Sequence, residues 1–334
     1  MAAFTSIARS ELETFVAARD LRLVAFGAIP EGSVNSNFWV TAVGPLGLER
    51  RWFLRVFEEQ GPEGARAEAA MLAALEKAGV PTPAPVAARN GEAIGVVAGK
   101  PAALFPWRAG HMRCQASVTA ADLRQLGAAL ARVHHAPLAT SGACVASERG
   151  PGRFRVQDLL VRLERVRGAA DGELARLAGP LQSALEENAS RRAKALPDGL
   201  VHGDLFRDNV LWNDDGSLSA LLDFESAFTG PLVYDLAVCG LSWCYGDAFD
   251  VALLRALLDG YQRERSLTDD ERQALYEETC FGALRFTVTR ITDYAMRADA
   301  GPRVMKDYRR FLGRYEALTA WGGERFMAAV FNAS

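Results

Sequence analysis

The stretch from Leu200 to Asp235, LVHGDLFRDNVLWNDDGSLSALLDFESAFTGPLVYD, constrains this chain more than any other, because short apolar pairs alternate with polar turns along it. Leu200-Val201 and Val210-Leu211 read as short strands, so His202 to Asn209 form a loop held at both ends. On that loop Asp204 is followed five residues later by Asn209, and Asp223 follows a hairpin downstream. The spacing suits phosphoryl transfer, in which a protein does little covalent work. It must hold Mg²⁺ on the nucleotide phosphates, aim an acceptor hydroxyl and receive the proton that the hydroxyl loses. A carboxylate on a tight loop serves as the base, and an amide with a second carboxylate supplies the hard oxygens Mg²⁺ prefers. Asp204 is thus the candidate base, with Asn209 and Asp223 the candidate metal ligands. Taken singly, Asp204, Asp208 and Asp214 are equally loop acids that cap and turn. The order strand, HGDxxxxN, hairpin and second Asp is what favours the chemistry.

With 334 residues, 49% hydrophobic and 24% charged, the chain is long enough for one large two-lobed domain or two ordinary ones, and its composition is that of a soluble globular protein. A net charge of −3 gives no electrostatic case for nucleic acid or an anionic membrane surface. No apolar run reaches the ~18 residues of a membrane span, and the start MAAFTSIARSELETF lacks a signal peptide's apolar core, so a cytoplasmic location is expected. The five cysteines, Cys114, Cys144, Cys239, Cys244 and Cys280, form no CxxC pair and imply neither a disulfide framework nor a zinc site. Cys239 and Cys244, in the apolar CGLSWC, read as buried thiols.

Three Ser/Thr-x-x-acid signatures, Ser10 with Glu13, Thr119 with Asp122 and Thr268 with Glu271, predict helices beginning near residues 10, 119 and 268. NFWVTA and RWFLRVFE, parted by the turn-rich VGPLGLE, predict a hairpin. ARAEAAMLAALEKAG reads as a helix ended by Gly79 and the prolines Pro81, Pro83 and Pro85, and GEAIGVVAGKPAALFPW as two strands around a Gly-Lys turn. From about Ala109 helices dominate, and the Gly- and Ser-rich TSGACVASERGPGRF reads as an exposed loop.

The Leu200–Asp235 segment resembles the catalytic and metal-binding loops of the aminoglycoside phosphotransferase and choline kinase superfamily, small-molecule kinases of protein-kinase-like fold. The resemblance implies an α+β, two-lobed architecture, with a small antiparallel-sheet lobe over 1–106 for the nucleotide and a larger, mostly helical lobe over 107–334 for catalysis and the acceptor. It implies ATP and Mg²⁺, with Asp204 as the catalytic Asp and Asn209 and Asp223 as metal ligands. Asp235 in YDLA would prop the loop and His202 would brace it.

EGSVNSNFWV lies where such a fold places its phosphate-covering turn: Gly32 permits close backbone approach, while Ser33, Asn35 and Ser36 favour amides facing phosphate oxygens. By itself it is an ordinary hairpin turn. On the next strand Phe53, Arg55 and Phe57 share one face opposite Trp52, Leu54 and Val56. Arg55 stands where kinases use a lysine for the phosphates, and Glu68 on the following helix is its expected partner; otherwise the two are a surface cation and a surface acid. The connector Leu104, Phe105, Pro106 and Trp107 offers adenine a backbone edge and apolar contact, or is plain core.

Within the superfamily the chain is most similar to the homoserine kinases, through EGSVNSNF, HGDLFRDNVL, LLDFESAFTGPLVYDLAVCGLSWC and ALRFTVTRITDY, which occur in the family's order. It departs in reading HGD where many members have HAD, and in Arg55, where several are uncharged. L-Homoserine needs a cation for its carboxylate and an acid for its ammonium. At about 100° per residue Asp293 projects between Arg285 and Arg290, so the three are expected on one helix face; the bland reading is a surface ion-pair cluster. Choline or ethanolamine, a sugar and an aminoglycoside are the alternative acceptors. A quaternary ammonium would need an aromatic cage, for which Trp107, Trp243 and Tyr245 are candidates, and a polycation an acidic pocket. An inactive nucleotide-binding protein is the alternative of another class.

Overall fold

The computed structural model describes residues 5–30, 34–136, 152, 154–193, 195–296 and 306–332. These form two compact units. One holds the chain up to Gly110 together with Ser219–Glu225; the other holds His111–His135, the described chain from Gly152 to Leu218, and the chain from Ser226 onward.

The first unit runs α1 (Arg9–Ala17), β1 (Arg22–Ile29), β2 (Ser36–Val43), β3 (Glu49–Val56), α2 (Pro62–Lys77), β4 (Ile94–Val97) and β5 (Lys100–Pro106). Its five strands form one sheet in the order β1-β2-β3-β5-β4, antiparallel throughout. The expected hairpin is the β2–β3 pair, with Asn37 opposite Arg55 and Trp39 opposite Phe53. Leu54 and Val56 face a core shared with Leu12, Phe15 and Val16 of α1, while Arg55 and Phe53 take the opposite face, as strand alternation requires. The β4–β5 turn puts Ala98 at φ 52° and Gly99 at φ 74°, the left-handed pair of a tight hairpin. Proline opens α2 at Pro62, and Gly79 at φ 80° follows its end.

One capping expectation is corrected. Ser10 lies inside α1, which starts at Arg9 because Glu11 reaches back to the amide of Ala8; the pairing of Ser10 with Glu13 caps nothing. Thr119 and Thr268 do cap as read, each exchanging hydrogen bonds with the acid three residues on.

The rest of the chain carries α3 (Ala120–His135), α4 (Val156–Arg167), α5 (Gly172–Arg191), β6 (Asp198–Val201), β7 (Val210–Trp212), β8 (Leu218–Leu221), β9 (Phe228–Pro231), α6 (Val233–Trp243), α7 (Val251–Glu264), α8 (Asp269–Arg290), a π-helical turn (Ile291–Ala295), α9 (Arg309–Trp321) and α10 (Gly323–Phe331). β6 pairs antiparallel with β9, which fixes the start of the Asp204 loop. Every residue of α6 is buried, and so is α8 from Glu278 to Thr289. Cys239, Cys244 and Cys280 are buried free thiols and Cys114 is exposed. The expected exposed loop at 140–154 lies outside the described residues except for Gly152 and Phe154, as do Cys144, Gly32 and Ser33. Among the described residues no helix is long and apolar enough to cross a membrane.

Helices α3 and α7 cross at facing glycines. A Cβ on Gly127 would sit 2.1 Å from the Leu257 carbonyl oxygen, and one on Gly260 would sit 2.0 Å from that of Arg124. Because the obstacle is backbone, a methyl group must push the helices apart. Gly127→Ala is expected to lower stability by at least about 1–3 kcal/mol, read as a drop in the calorimetric melting temperature.

Candidate active site

The Asp204 loop is shaped by backbone groups captured by α6. His202 N and Gly203 N donate to the two oxygens of Asp235, at 2.7 and 2.8 Å. Gly203 adopts φ 76°, and a Cβ there would lie 2.9 Å from the Phe228 ring, so glycine is required. At the other end of α6, Trp243 Nε1 and Ser242 Oγ donate to the Leu205 carbonyl at 2.9 and 3.3 Å. One buried helix therefore grips the loop on both sides of Asp204. Asn209 Nδ2 donates to the Asp204 carbonyl at 2.8 Å. His202 is fully buried, and its Nδ1 accepts from Asp204 N at 3.3 Å.

Asp235 is itself held. His134 Nε2 lies 3.1 Å from its Oδ2, and His134 Nδ1 lies 2.7 Å from the Tyr261 hydroxyl. A carboxylate accepts only, so these partners assign the proton to Nε2 and make Tyr261 the donor to Nδ1. Burial raises the Tyr261 pKa well above that of a free phenol, which keeps this donor protonated. Arg265 bonds Tyr261 and pairs with buried Glu271 at 2.8 Å. Neither His134 nor Tyr261 emerged as a site residue from the sequence; the doubled histidine closing an amphipathic helix was the available signal.

The first unit assembles a second cluster. Arg55 pairs with Glu68 on α2 at 3.3 Å and with Glu225 at 2.9 Å. Burial by itself would lower the Arg55 pKa, but the fields of Glu225, Asp223 and Glu68 outweigh it and raise the value. Glu225, two residues after Asp223, was not singled out in the sequence, although LLDFES displays it. Asn35 is 5% exposed and spans the same cluster, donating to Glu225 and accepting from Glu58 N at 3.1 Å. Ser36 donates to Glu58, which also receives Lys100 and Thr5. Burial alone would raise the Glu58 pKa, yet these donors hold it below the usual carboxylate range. Asn35 and Ser36 thus anchor the turn through their side chains. Phe105 is buried opposite Phe53, and Trp107 lies beneath the Arg51 guanidinium at 4.0 Å.

Asp223 has φ 64°, a conformation aspartate tolerates at a cost and which concentrates at functional sites. Its carboxylate and the Oδ1 of Asn209, which the bond to Asp204 leaves unused, are donors of the kind Mg²⁺ takes, so the residues fit the ion. Among the described residues no group of three His, Cys, Asp or Glu side chains is placed to hold a metal ion.

On the acceptor side, Arg285 is 3% exposed, and its Nη1 is 3.5 Å from Asp204 Oδ1, near enough for attraction without a hydrogen bond. Among the described residues its Nε and Nη1 have no hydrogen-bond partner. Arg285 and Arg290 share an α-helix, and Asp293 lies beyond its end. The α-helix ends at Arg290 and a π turn carries Asp293, so the 100° step does not extend across them. Asp293 receives Arg162 at 2.6 Å, a residue the sequence reading missed on α4. Arg162 and Arg285 both lie over Phe154, at 5.6 and 4.2 Å. Arg290 turns instead to the Asp307 carbonyl at 2.9 Å and the Phe311 ring at 4.3 Å. The candidate cage aromatics are committed elsewhere: Trp243 is fully buried on Leu205, Trp107 carries Arg51, and Tyr245 carries Arg314 at 4.8 Å.

A five-stranded antiparallel sheet followed by a helical unit bearing HGDxxxxN is the frame of a kinase-like phosphotransferase, and solved structures share it. Spectinomycin phosphotransferase in complex with ADP and spectinomycin aligns over 98% of both chains with a TM-score of 0.63 at 12% identity. An amicoumacin kinase in complex with AMP-PNP, Ca²⁺ and its ligand aligns over 95% of both chains, with a TM-score of 0.65 and 14% identity. The chain belongs to the phosphotransferase enzyme family, whose profile matches residues 26–267, and it is a phosphotransferase with an alcohol acceptor. It is 33% identical to a homoserine kinase of Nitrobacter winogradskyi over 97% of both chains, and 33% identical to one of Caulobacter sp. over 96% of this chain and 99% of that one.

Replacing Asp235 by Asn sets an amide N–H against donors that now meet a carboxylate. Asp235→Asn is expected to lose roughly 1.5–3 kcal/mol of stability in urea unfolding, together with a lower turnover at unchanged nucleotide KM.

Proposed function

We propose that this phosphotransferase converts L-homoserine and Mg·ATP to O-phospho-L-homoserine and ADP, the step that commits homoserine to threonine. The observation that carries the reading is Arg285: a nearly fully buried guanidinium beside Asp204 whose Nε and Nη1 lack hydrogen-bond partners among the described residues. Buried donors left unmade cost free energy unless a ligand completes them, and the planar fork of arginine matches a carboxylate. The likeness to curated homoserine kinases over nearly the whole chain supports the same substrate.

In this reading Arg285 takes the homoserine carboxylate and Asp293, oriented by Arg162 and Thr292, takes the ammonium. Asp204 accepts the hydroxyl proton as that oxygen attacks the γ-phosphorus and the bond to the ADP oxygen breaks. Asn209 and Asp223 would hold Mg²⁺, which supplies charge neutralisation on the phosphates. On the nucleotide side Arg55, kept charged and oriented by Glu68 and Glu225, meets the phosphates. Asn35 and Ser36, held through their side chains, would stand on the phosphate side, where the sequence also offers Ser33, and Phe105 and Trp107 mark the strand end that adenine would meet. His202 and Asp235 hold the loop in shape. The cations near Asp204 disfavour a polycationic aminoglycoside, and the committed aromatics disfavour a choline cage.

Coupled ADP release with Mg·ATP against homoserine, choline, serine and an aminoglycoside tests the proposal. Homoserine is expected to give the highest kcat/KM, and Asp204→Asn to lower turnover by roughly 10²- to 10⁴-fold with folding intact. A preference for choline, or unaltered turnover in that variant, would refute the assignment; binding of nucleotide without ADP from any acceptor would mark an inactive protein.

A further inference from the structure

Beyond the acceptor residues, a second set of cations gathers beside the catalytic loop. Phe206 packs on Phe286 and Phe311, with centroids 4.8 and 5.9 Å away, and those two rings are 4.9 Å apart. Guanidinium groups stand on this platform: Arg285 lies 3.8 Å from Phe286, while Arg290 and Arg314 lie 4.3 and 4.6 Å from Phe311. Arg207, next to Phe206, donates to Ser242 O and Gln115, and Arg314 donates to Leu241 O at 2.7 Å, the neighbouring carbonyl on α6.

Ring faces and neutral carbonyls orient these groups without cancelling their charge. Among the described residues, none of Arg207, Arg290 and Arg314 forms an ion pair with a carboxylate. Like charges held close repel one another, and the titration behaviour reflects it: burial, then Arg290 and Arg207, bring Arg314 down to about 10. Burial likewise brings Arg290 to about 10, against the opposing pull of Asp204. A chain with more acids than bases has left them uncompensated here.

We infer that Arg207, Arg290 and Arg314 form an oxyanion site for a phosphate group, supplied either by inorganic phosphate or by a phosphomonoester such as the product of phosphoryl transfer. Guanidinium forks suit a tetrahedral dianion, and Phe206 of the catalytic loop packs on the Phe311 ring that carries Arg290 and Arg314, which makes the site continuous with that loop.

The test is calorimetric titration of the full chain, free of nucleotide and Mg²⁺, with sodium phosphate and separately with O-phospho-L-homoserine. Sodium chloride matches the ionic strength, and wild type is compared with Arg314→Lys and Arg314→Gln. Wild type should bind saturably, Arg314→Lys should retain most of the affinity, and Arg314→Gln should lose about 10- to 100-fold. Binding of both ligands assigns the site to phosphate in general, and binding of the ester alone assigns it to the product. Absence of saturable heat with either ligand, or equal affinity in wild type and Arg314→Gln, would overturn the inference. Should Arg314→Gln melt lower in chloride alone, wild type decides: a saturable rise in melting temperature with phosphate over chloride supports the site, and no rise sinks it.

Discussion

The Asp235 carboxylate is the interaction on which the rest depends. It accepts two consecutive backbone amides of the catalytic loop and one imidazole N–H, all within the interior. A fully buried carboxylate is costly unless every lone pair meets a donor, and this one is satisfied by the groups whose positions matter. Its place in the first turn of α6 adds the favourable end of a helix dipole. The chain from Arg265 through Tyr261 and His134 then fixes the carboxylate from behind. Precision at Asp204 is therefore built from backbone geometry held by the core rather than from contacts made by Asp204 itself.

Charge is arranged differently within each of the two units. In the first unit Arg55 is enclosed by Glu68, Glu225 and Asp223, so the cation is neutralised locally and held in one orientation. In the helical unit Arg285, Arg290 and Arg314 rest on aromatic faces, and among the described residues the carboxylate paired with this set is that of Asp204, on Arg285. Such a setting favours acceptors and products that carry negative charge, which is a physical reason for an amino acid over a polyamine or a quaternary ammonium.

Much of this was legible in the sequence, for local reasons. The β2–β3 hairpin follows from partial alternation on both sides of a turn-rich break, and the loop around Asp204 from polar residues trapped between apolar pairs. Thr119 and Thr268 cap as their signatures say, since a capping box uses only groups three residues apart. Ser10 misled because Glu11 offered a competing cap two residues earlier, at Ala8. The position of Asp293 relative to Arg285 and Arg290 was not legible because a π turn changes the angular step, which composition does not announce. His134, Arg162 and Glu225 were missed because their partners lie 101, 131 and 170 residues away along the chain, distances that periodicity cannot bridge.

The central claim is direct transfer of a phosphoryl group to the side-chain oxygen of an amino acid held beside Asp204. Phosphorus NMR of the product made from homoserine carrying a heavy-oxygen label in its hydroxyl tests this most directly. The account predicts a phosphomonoester coupled to the side-chain methylene, with the label in the bridging position and none in ADP. Phosphorus on nitrogen or carboxylate, or ADP formed with no phosphorylated homoserine, would contradict it.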